Sequence, residues 1–247
     1  MRVDVGDAEL EVEVSGPDDA PTVLCWNGAG LTLRQWDTVR DRLEGQFRFV
    51  CFDVRGVGKS SVGRHGDADQ FTFERYAQDA DRMLSSLEIE TVITWAMAWG
   101  SRAALVHAAM YPHSVDRAAL FDLSIEVADP EAQKMQRRLA LQRQDAIGIG
   151  RFERPVGIAE HENLEHLRAA RSASLKTDLA KHIPQLSMPV LLATGDHDPN
   201  LASSRSVAEM TRCARLEVMA NVGHGSVLQR PDLACELFLS FTESAAA

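Results

Sequence analysis

The chain has 247 residues, enough for one large α/β domain or for such a domain with a modest insertion. Hydrophobic residues make up 45% and charged residues 25%, the balance of an ordinary globular protein. A formal net charge of −10 and a pI near 5.3 argue against a polyanionic partner, so no nucleic acid is expected.

In chain order, residues 2–14 alternate apolar and polar about Gly6 and Asp7, which predicts a β-hairpin. Residues 21–26 are a short apolar run that stops at Asn27, Gly28, Ala29 and Gly30, a strand feeding a glycine-rich turn. Leu33, Trp36, Val39 and Leu43 follow at helical spacing. Residues 47–53 read as the next strand, and the stretch from Arg55 to Gly58 as its turn. Helical spacing returns over 71–87, with Phe73, Tyr76, Ala80, Met83, Leu84 and Leu87 on one face. Residues 91–97 are an apolar strand leading to a tight turn and a helix over about 100–111. Another strand is expected at 115–121.

The alternation stops after Asp122, and 125–184 is charged and helical with no convincing strand. Strand character resumes at 188–193, then come a helix near 202–212, a strand at 216–219, a loop holding His224 and a final helix. Strands alternating with helices imply a parallel sheet covered on both faces. The helical block reads as an insertion over one edge of that sheet.

Cys25, Cys51, Cys213 and Cys235 are far apart and lack metal-ligand spacing. Cys25 and Cys51 sit in apolar runs and read as buried thiols, which suits a reducing compartment. The N-terminus lacks the apolar core of a signal peptide, and no run is long enough to span a bilayer. A cytoplasmic protein without membrane contact is expected. The sequence leaves the oligomeric state open.

In an open parallel sheet, ligands bind beyond the carboxyl ends of the strands. Four features fall there: the turn from Asn27 to Gly30, the turn at Ala98, the acidic turn ending at Asp198, and the loop of His224. The order of these features resembles the α/β-hydrolase superfamily over nearly the whole chain. Ala96, Met97, Ala98, Trp99 and Gly100 stand at the five positions of the G-x-S-x-G nucleophile elbow. Asp53, Arg55, Gly56, Gly58 and Ser60 resemble the family's D-x-R-G-x-G-x-S turn, 189–198 resembles the strand ending at the triad acid, and 221–224 the loop of the triad histidine.

The resemblance implies an α/β fold with a mostly parallel, doubly wound sheet and a small helical cap, with 1–124 and 185–247 as core and 125–184 as cap. It implies His224 as general base, Asp198 as the group that orients it, and the N–H groups of Ala29 and Trp99 as an oxyanion hole. Asn27, Gly28 and Met97 would meet a small-molecule substrate. Asn27-Gly28 stands where the family usually has His-Gly, somewhat like the enol-lactone hydrolases. Asp196 is the competing carboxylate, which the family frame disfavours. No cofactor and no metal are implied. The expected chemistry is hydrolysis of a small ester, lactone or related carbonyl compound.

One atom is missing from that frame, because Ala98 occupies the nucleophile position and a methyl group cannot attack a carbonyl. Three explanations stand side by side: an engineered replacement of serine, a natural enzyme using the His224–Asp198 dyad for non-hydrolytic chemistry, or a ligand-binding module that kept the pocket. Ser101 lies three residues on and is expected to pack or cap rather than attack. Trp95 and Trp99 are candidates for lining the pocket. His107, His113, His161 and His166 fall in helical or charged stretches and read as solvated. Two look-alikes fail: Asp53 stands where a phosphate-binding loop needs glycine, and Glu165 where a zinc helix needs its second histidine.

Overall fold

The computed structural model describes residues 1–43, 45–63, 70–127 and 129–244. Strand β1 (Arg2–Asp4) turns at Gly6, whose φ of 104° suits glycine, and pairs antiparallel with β2 (Glu9–Ser15), as the alternating pattern predicts. Strands β3 (Thr22–Trp26), β4 (Arg48–Phe52), β5 (Val92–Met97), β6 (Val115–Phe121), β7 (Val190–Gly195) and β8 (Ala214–Met219) are parallel to one another. The sheet has eight strands in the order β1-β2-β4-β3-β5-β6-β7-β8. Its strand order reverses at β3, between β4 and β5, which opens a crevice at their carboxyl ends.

Alternate residues of the central strands feed two cores. Leu24 and Trp26 join one cluster with helices α2 (Phe73–Ser86) and α3 (Trp99–Met110), while Val23 and Cys25 join the other with α1 (Asp37–Arg42) and the C-terminal helix. Helix α2 begins where the Thr72 hydroxyl accepts from the Arg75 N–H, and it buries Phe73, Tyr76, Ala80, Met83 and Leu84 at helical spacing. Helix α3 is buried at every position from Gly100 to Ala109, so it shows no polar stripe. The expected final helix is two, α7 (Ser226–Gln229) and α8 (Pro231–Glu243), separated where Pro231 starts the second.

Residues 125–184 carry α4 (Pro130–Ala146), α5 (Leu164–Arg171) and three short 3-10 turns. They do not sit over an edge of the sheet, as expected; they cross its carboxyl end. Gln144 donates to the Asn221 carbonyl at 2.7 Å, the Thr32 N–H to the Ile158 carbonyl at 2.8 Å, and the Tyr76 hydroxyl to the Ala170 carbonyl at 2.8 Å. From Ala170 on the segment also enters the main core through Ala173, Leu179 and Ile183. Helix α6 (Leu201–Met210) follows β7.

Candidate active site

Strand β5 is buried throughout and ends in Ala98, whose backbone takes φ 56° and ψ −113°. That conformation is costly for a residue with a Cβ and is kept only where the surroundings enforce it. Here the Ala98 N–H donates to the Phe121 carbonyl at 2.8 Å, and its own carbonyl accepts from Ser101 at 3.0 Å as α3 begins. Gly100 is required by contact: a Cβ there would lie 2.4 Å from the Asn27 carbonyl oxygen and 2.5 Å from that of Trp26. The start of α3 is thereby pressed against the turn after β3. Trp99 and Ala29 consequently line one cavity, and the N–H of neither donates a hydrogen bond among the described residues. Ser101 is buried and donates to the Phe121 carbonyl at 2.7 Å, so its hydroxyl packs as expected.

Asn27 is not placed to meet a ligand with its amide. Its Nδ2 donates to the Phe52 carbonyl at 2.9 Å and to Asp53 Oδ1 at 3.0 Å, while its Oδ1 accepts from Trp36 Nε1 at 2.9 Å. Its side chain braces the turn, a correction to the substrate-contact expectation. The Gly28 N–H is likewise spent on Gln35 Oε1 at 2.8 Å. Gly28 still lines the cavity beside Met97, where a Cβ would come within 2.9 Å of Met97 Cε. Trp95 is buried against Phe238, ring centroids 4.0 Å apart, and lies outside the cavity lining; Trp99 is part of it.

The turn after β7 and the loop after β8 touch at Gly195, where a Cβ would fall 2.0 Å from the Val222 carbonyl oxygen. This close approach brings Asp198 to His224. Asp198 Oδ2 accepts from His224 Nδ1 at 3.0 Å, and Asp198 Oδ1 accepts from the Asn200 N–H at 2.9 Å. Asp196 bonds to His197 instead, which separates the two competing carboxylates. Among the described residues His224 Nε2 has no hydrogen-bond partner, and His224 forms part of the cavity wall. Burial pulls the His224 pKa down, but the hydrogen bond and charge of Asp198 and the charge of Asp122 outweigh it and hold the imidazole above its ordinary 6.5.

The sequence pattern does not single out Asp122, which directly follows the apolar run of β6. It is fully buried, with φ 54°, and its Oδ2 accepts from the Gly225 N–H at 3.0 Å and the Ser226 N–H at 2.8 Å. Its Oδ1 has no hydrogen-bond partner among the described residues. Burial first, and the neighbouring Asp198 charge second, push its carboxyl to about 7. One ligand atom from each of Asp122, Asp198 and His224 fits within a 4.8 Å span. The donor set is one a divalent cation accepts, but its Nδ1 and carboxylate oxygens are largely engaged with each other and with loop N–H groups, so holding an ion would mean breaking those bonds.

Two histidines differ from expectation. His107 is fully buried in α3 between Trp26 and Tyr111, with neither ring nitrogen partnered. His161 ties two glycine turns together, its Nδ1 accepting from the Gly58 N–H at 3.0 Å and its Nε2 lying 3.1 Å from the Gly30 carbonyl oxygen. Asp53 and Arg55 of the glycine-rich turn are structural as well: Asp53 Oδ1 accepts from the Leu33 N–H at 2.7 Å, and Arg55 pairs with Asp79 and Asp7.

A family model for the alpha/beta hydrolase fold matches residues 21–149. The chain belongs to the α/β-hydrolase fold family. It is 23% identical to 3-oxoadipate enol-lactonase 1 of Acinetobacter baylyi over 95% of this chain and 93% of that one. Among solved structures, the enol-lactonase of Burkholderia xenovorans LB400 superposes with a TM-score of 0.81 at 21% identity, covering 99% of this chain and 100% of that one. An E-2-(acetamidomethylene)succinate hydrolase gives a TM-score of 0.78 at 19% identity over 99% and 98% of the two chains. At these identities the α/β-hydrolase likeness is one of fold.

Proposed function

We propose that this chain carries the frame of an ester- or lactone-type hydrolase with Ala98 at its nucleophile position. The observation that carries this is the elbow itself. Ala98 holds a strained φ of 56° between two unpartnered N–H groups, Ala29 and Trp99, and an imidazole oriented by Asp198. In this reading His224 Nε2 is the general base, Asp198 stabilises the imidazolium, and the two N–H groups stabilise the oxyanion. Met97 and Gly28 line the substrate side. The hydrolase names of the similar proteins support the same class. Residues 125–184 act as cap over a core of 1–124 and 185–247, and four free cysteines support a reducing, cytoplasmic setting.

The expected outcome follows from the chemistry. Losing a triad nucleophile typically costs about 10⁶ in turnover. Ala98→Ser should therefore raise kcat/KM on a panel of small esters and lactones by about 10³ or more, and His224→Ala in that background should remove the gain. A second reading has one observation in its favour, the free Nε2 of His224, which could take a proton from the substrate itself. It predicts that His224→Ala abolishes whatever activity the present chain has, while Ala98→Ser improves nothing.

A further inference from the structure

The cavity beside Ala98 and His224 has a volume of about 640 Å³, and five arginines line it: Arg102, Arg137, Arg154, Arg168 and Arg171. No aspartate or glutamate is among the described residues of that lining. Among the described residues none of the five forms an ion pair, whereas nine other arginines do. The chain is not short of partners, since it has 36 acidic residues against 26 basic ones. Arg102 is buried and Arg137 half-buried, while Arg154, Arg168 and Arg171 stand exposed at the rim, and the Glu126 charge offsets only part of the cost at Arg102. Gathering five cations around one cavity is unfavourable, so the arrangement asks for an anion from outside.

The arginines reach the cavity from separate elements. Arg102 is on α3, one turn beyond Ala98, and its guanidinium has one bond, to the Glu126 carbonyl at 2.6 Å. Arg137 is on α4 directly above the histidine loop, because a Cβ on Gly223 would come within 2.6 Å of Arg137 Cα. Its Nε is buried and has no hydrogen-bond partner among the described residues. Burial and the nearby Arg154 and Arg151 charges all work against its own charge and lower its pKa. Arg168 and Arg171 are in α5, beside Ser172 and Ser174 of the same lining. A guanidinium is a planar fork that binds an oxyanion through two parallel N–H bonds.

We propose that this cavity recognises a small substrate bearing two or more free oxyanion groups, carboxylates or phosphates, apart from the carbonyl presented to the elbow. Five unpaired guanidiniums around one cavity exceed what a single carboxylate can satisfy. The proposal rests on the hydrolase-frame reading only for the site of reaction; the anion site stands on the arginines alone. Electrostatic attraction into a cationic cleft also overcomes the net negative charge of the chain at close range.

Binding and turnover test it separately. The first experiment titrates the chain as it stands, by calorimetry at low and high salt, with tricarballylate, adipate, pyrophosphate and the neutral diamide of adipic acid. The polyanions should bind, weaken with salt, and lose about 10- to 100-fold in affinity in Arg137→Met and in the exposed Arg168→Met, while the diamide does not bind. Binding of pyrophosphate alone would assign phosphate as the anion; binding of the carboxylates alone would assign carboxylate. Equal binding of the diamide, or binding unchanged in both arginine variants, would overturn the proposal.

The second experiment uses Ala98→Ser and compares kcat/KM for a monoester bearing two free carboxylates with its fully esterified, neutral counterpart. A preference of about 10-fold or more for the acid, carried by KM and lost in Arg168→Met, is expected. Turnover that favours the neutral ester overturns the anion proposal and leaves the hydrolase reading intact. Arginine-dependent anion binding without any turnover keeps the proposal and sinks the hydrolase reading.

Discussion

Two places in this molecule bury arginine, and they treat it in opposite ways. At the flank of the sheet, Arg55 is fully buried and completely paired: its Nε donates to Asp79 Oδ2 at 2.6 Å, and its Nη2 to Asp79 Oδ1 at 2.7 Å and to Asp7 Oδ1 at 3.0 Å. Arg75 closes the network against the same two carboxylates. Burial opposes the Arg55 charge, but those bonds outweigh it and hold its pKa above the ordinary value. At the carboxyl end of the sheet, Arg102 and Arg137 face a cavity with no carboxylate in its wall, and burial pulls their pKa values down. A closed ion network fastens loops to a helix. An open one is a site, and its cost in stability is retained because something binds there.

The widest separation between the two should appear on removing one charge from each. Asp79→Ala leaves Arg55 buried without its main partner and should cost about 3–5 kcal/mol. Arg137→Met removes a cation that has no partner and should change stability by about 1 kcal/mol or less, in the stabilising direction if in any. Urea unfolding of both variants decides it. A neutral Asp79→Ala, or an Arg137→Met as damaging as the flank variant, would erase the distinction between structural and functional arginine.

His107 sharpens the comparison, because it solves the same problem a third way, by staying uncharged. Burial alone lowers its pKa from 6.5 to about 4. The unfolded chain takes up a proton near pH 6.5, and the folded one only near pH 4. Stability is therefore full above about 6.5 and falls as pH drops through that window, by about 3 kcal/mol in all at 1.36 kcal/mol per pKa unit. In His107→Leu that part of the pH slope should vanish, whatever the variant does to packing at pH 8. Unfolding curves across pH 4–8 would show it, and an unchanged slope would mean the imidazole is charged or solvated after all.

How far the sequence foretold these regions depends on what kind of signal each carries. The strands and turns were legible because apolar runs end at glycine, asparagine or aspartate, and the elbow was legible because a strand, a turn and a helix start follow in order. Asp198 and His224 stood out by the order of their loops, and the structure brings them to 3.0 Å. Asp122 did not stand out, since an aspartate after a strand is also an ordinary turn residue. The burial of His107 is not legible in the sequence, because α3 is buried all round and offers no polar face for contrast. The cavity arginines were lost in a charged helical stretch, where spacing cannot say whether a face meets water or a crevice. Asn27 reads as a substrate contact because it stands in the turn that resembles the family's oxyanion turn, whereas its amide is consumed by Trp36, Phe52 and Asp53.

The smallest effect expected is the most local one, and it concerns the carboxylate pair beside His224. Asp122 holds the histidine loop through the Gly225 and Ser226 N–H groups, and its charge is one of the causes that raise the His224 pKa. Asp122→Asn keeps a carbonyl oxygen for those N–H groups and removes the charge. Imidazolium then loses one stabilising neighbour, so the His224 pKa should fall, and by less than in Asp198→Asn, which removes the direct acceptor. A lower pKa means more neutral base below pH 7, so the acid limb of kcat/KM in the Ala98→Ser background should move to lower pH. The NMR titration of His224 in the unmodified chain should move the same way. No shift would show that Asp122 stays protonated throughout and serves the loop as a hydrogen-bonding prop. The crevice would then hold its excess of positive charge with even less compensation than its geometry implies, which makes an anionic ligand more necessary there and widens the contrast with the paired network around Arg55.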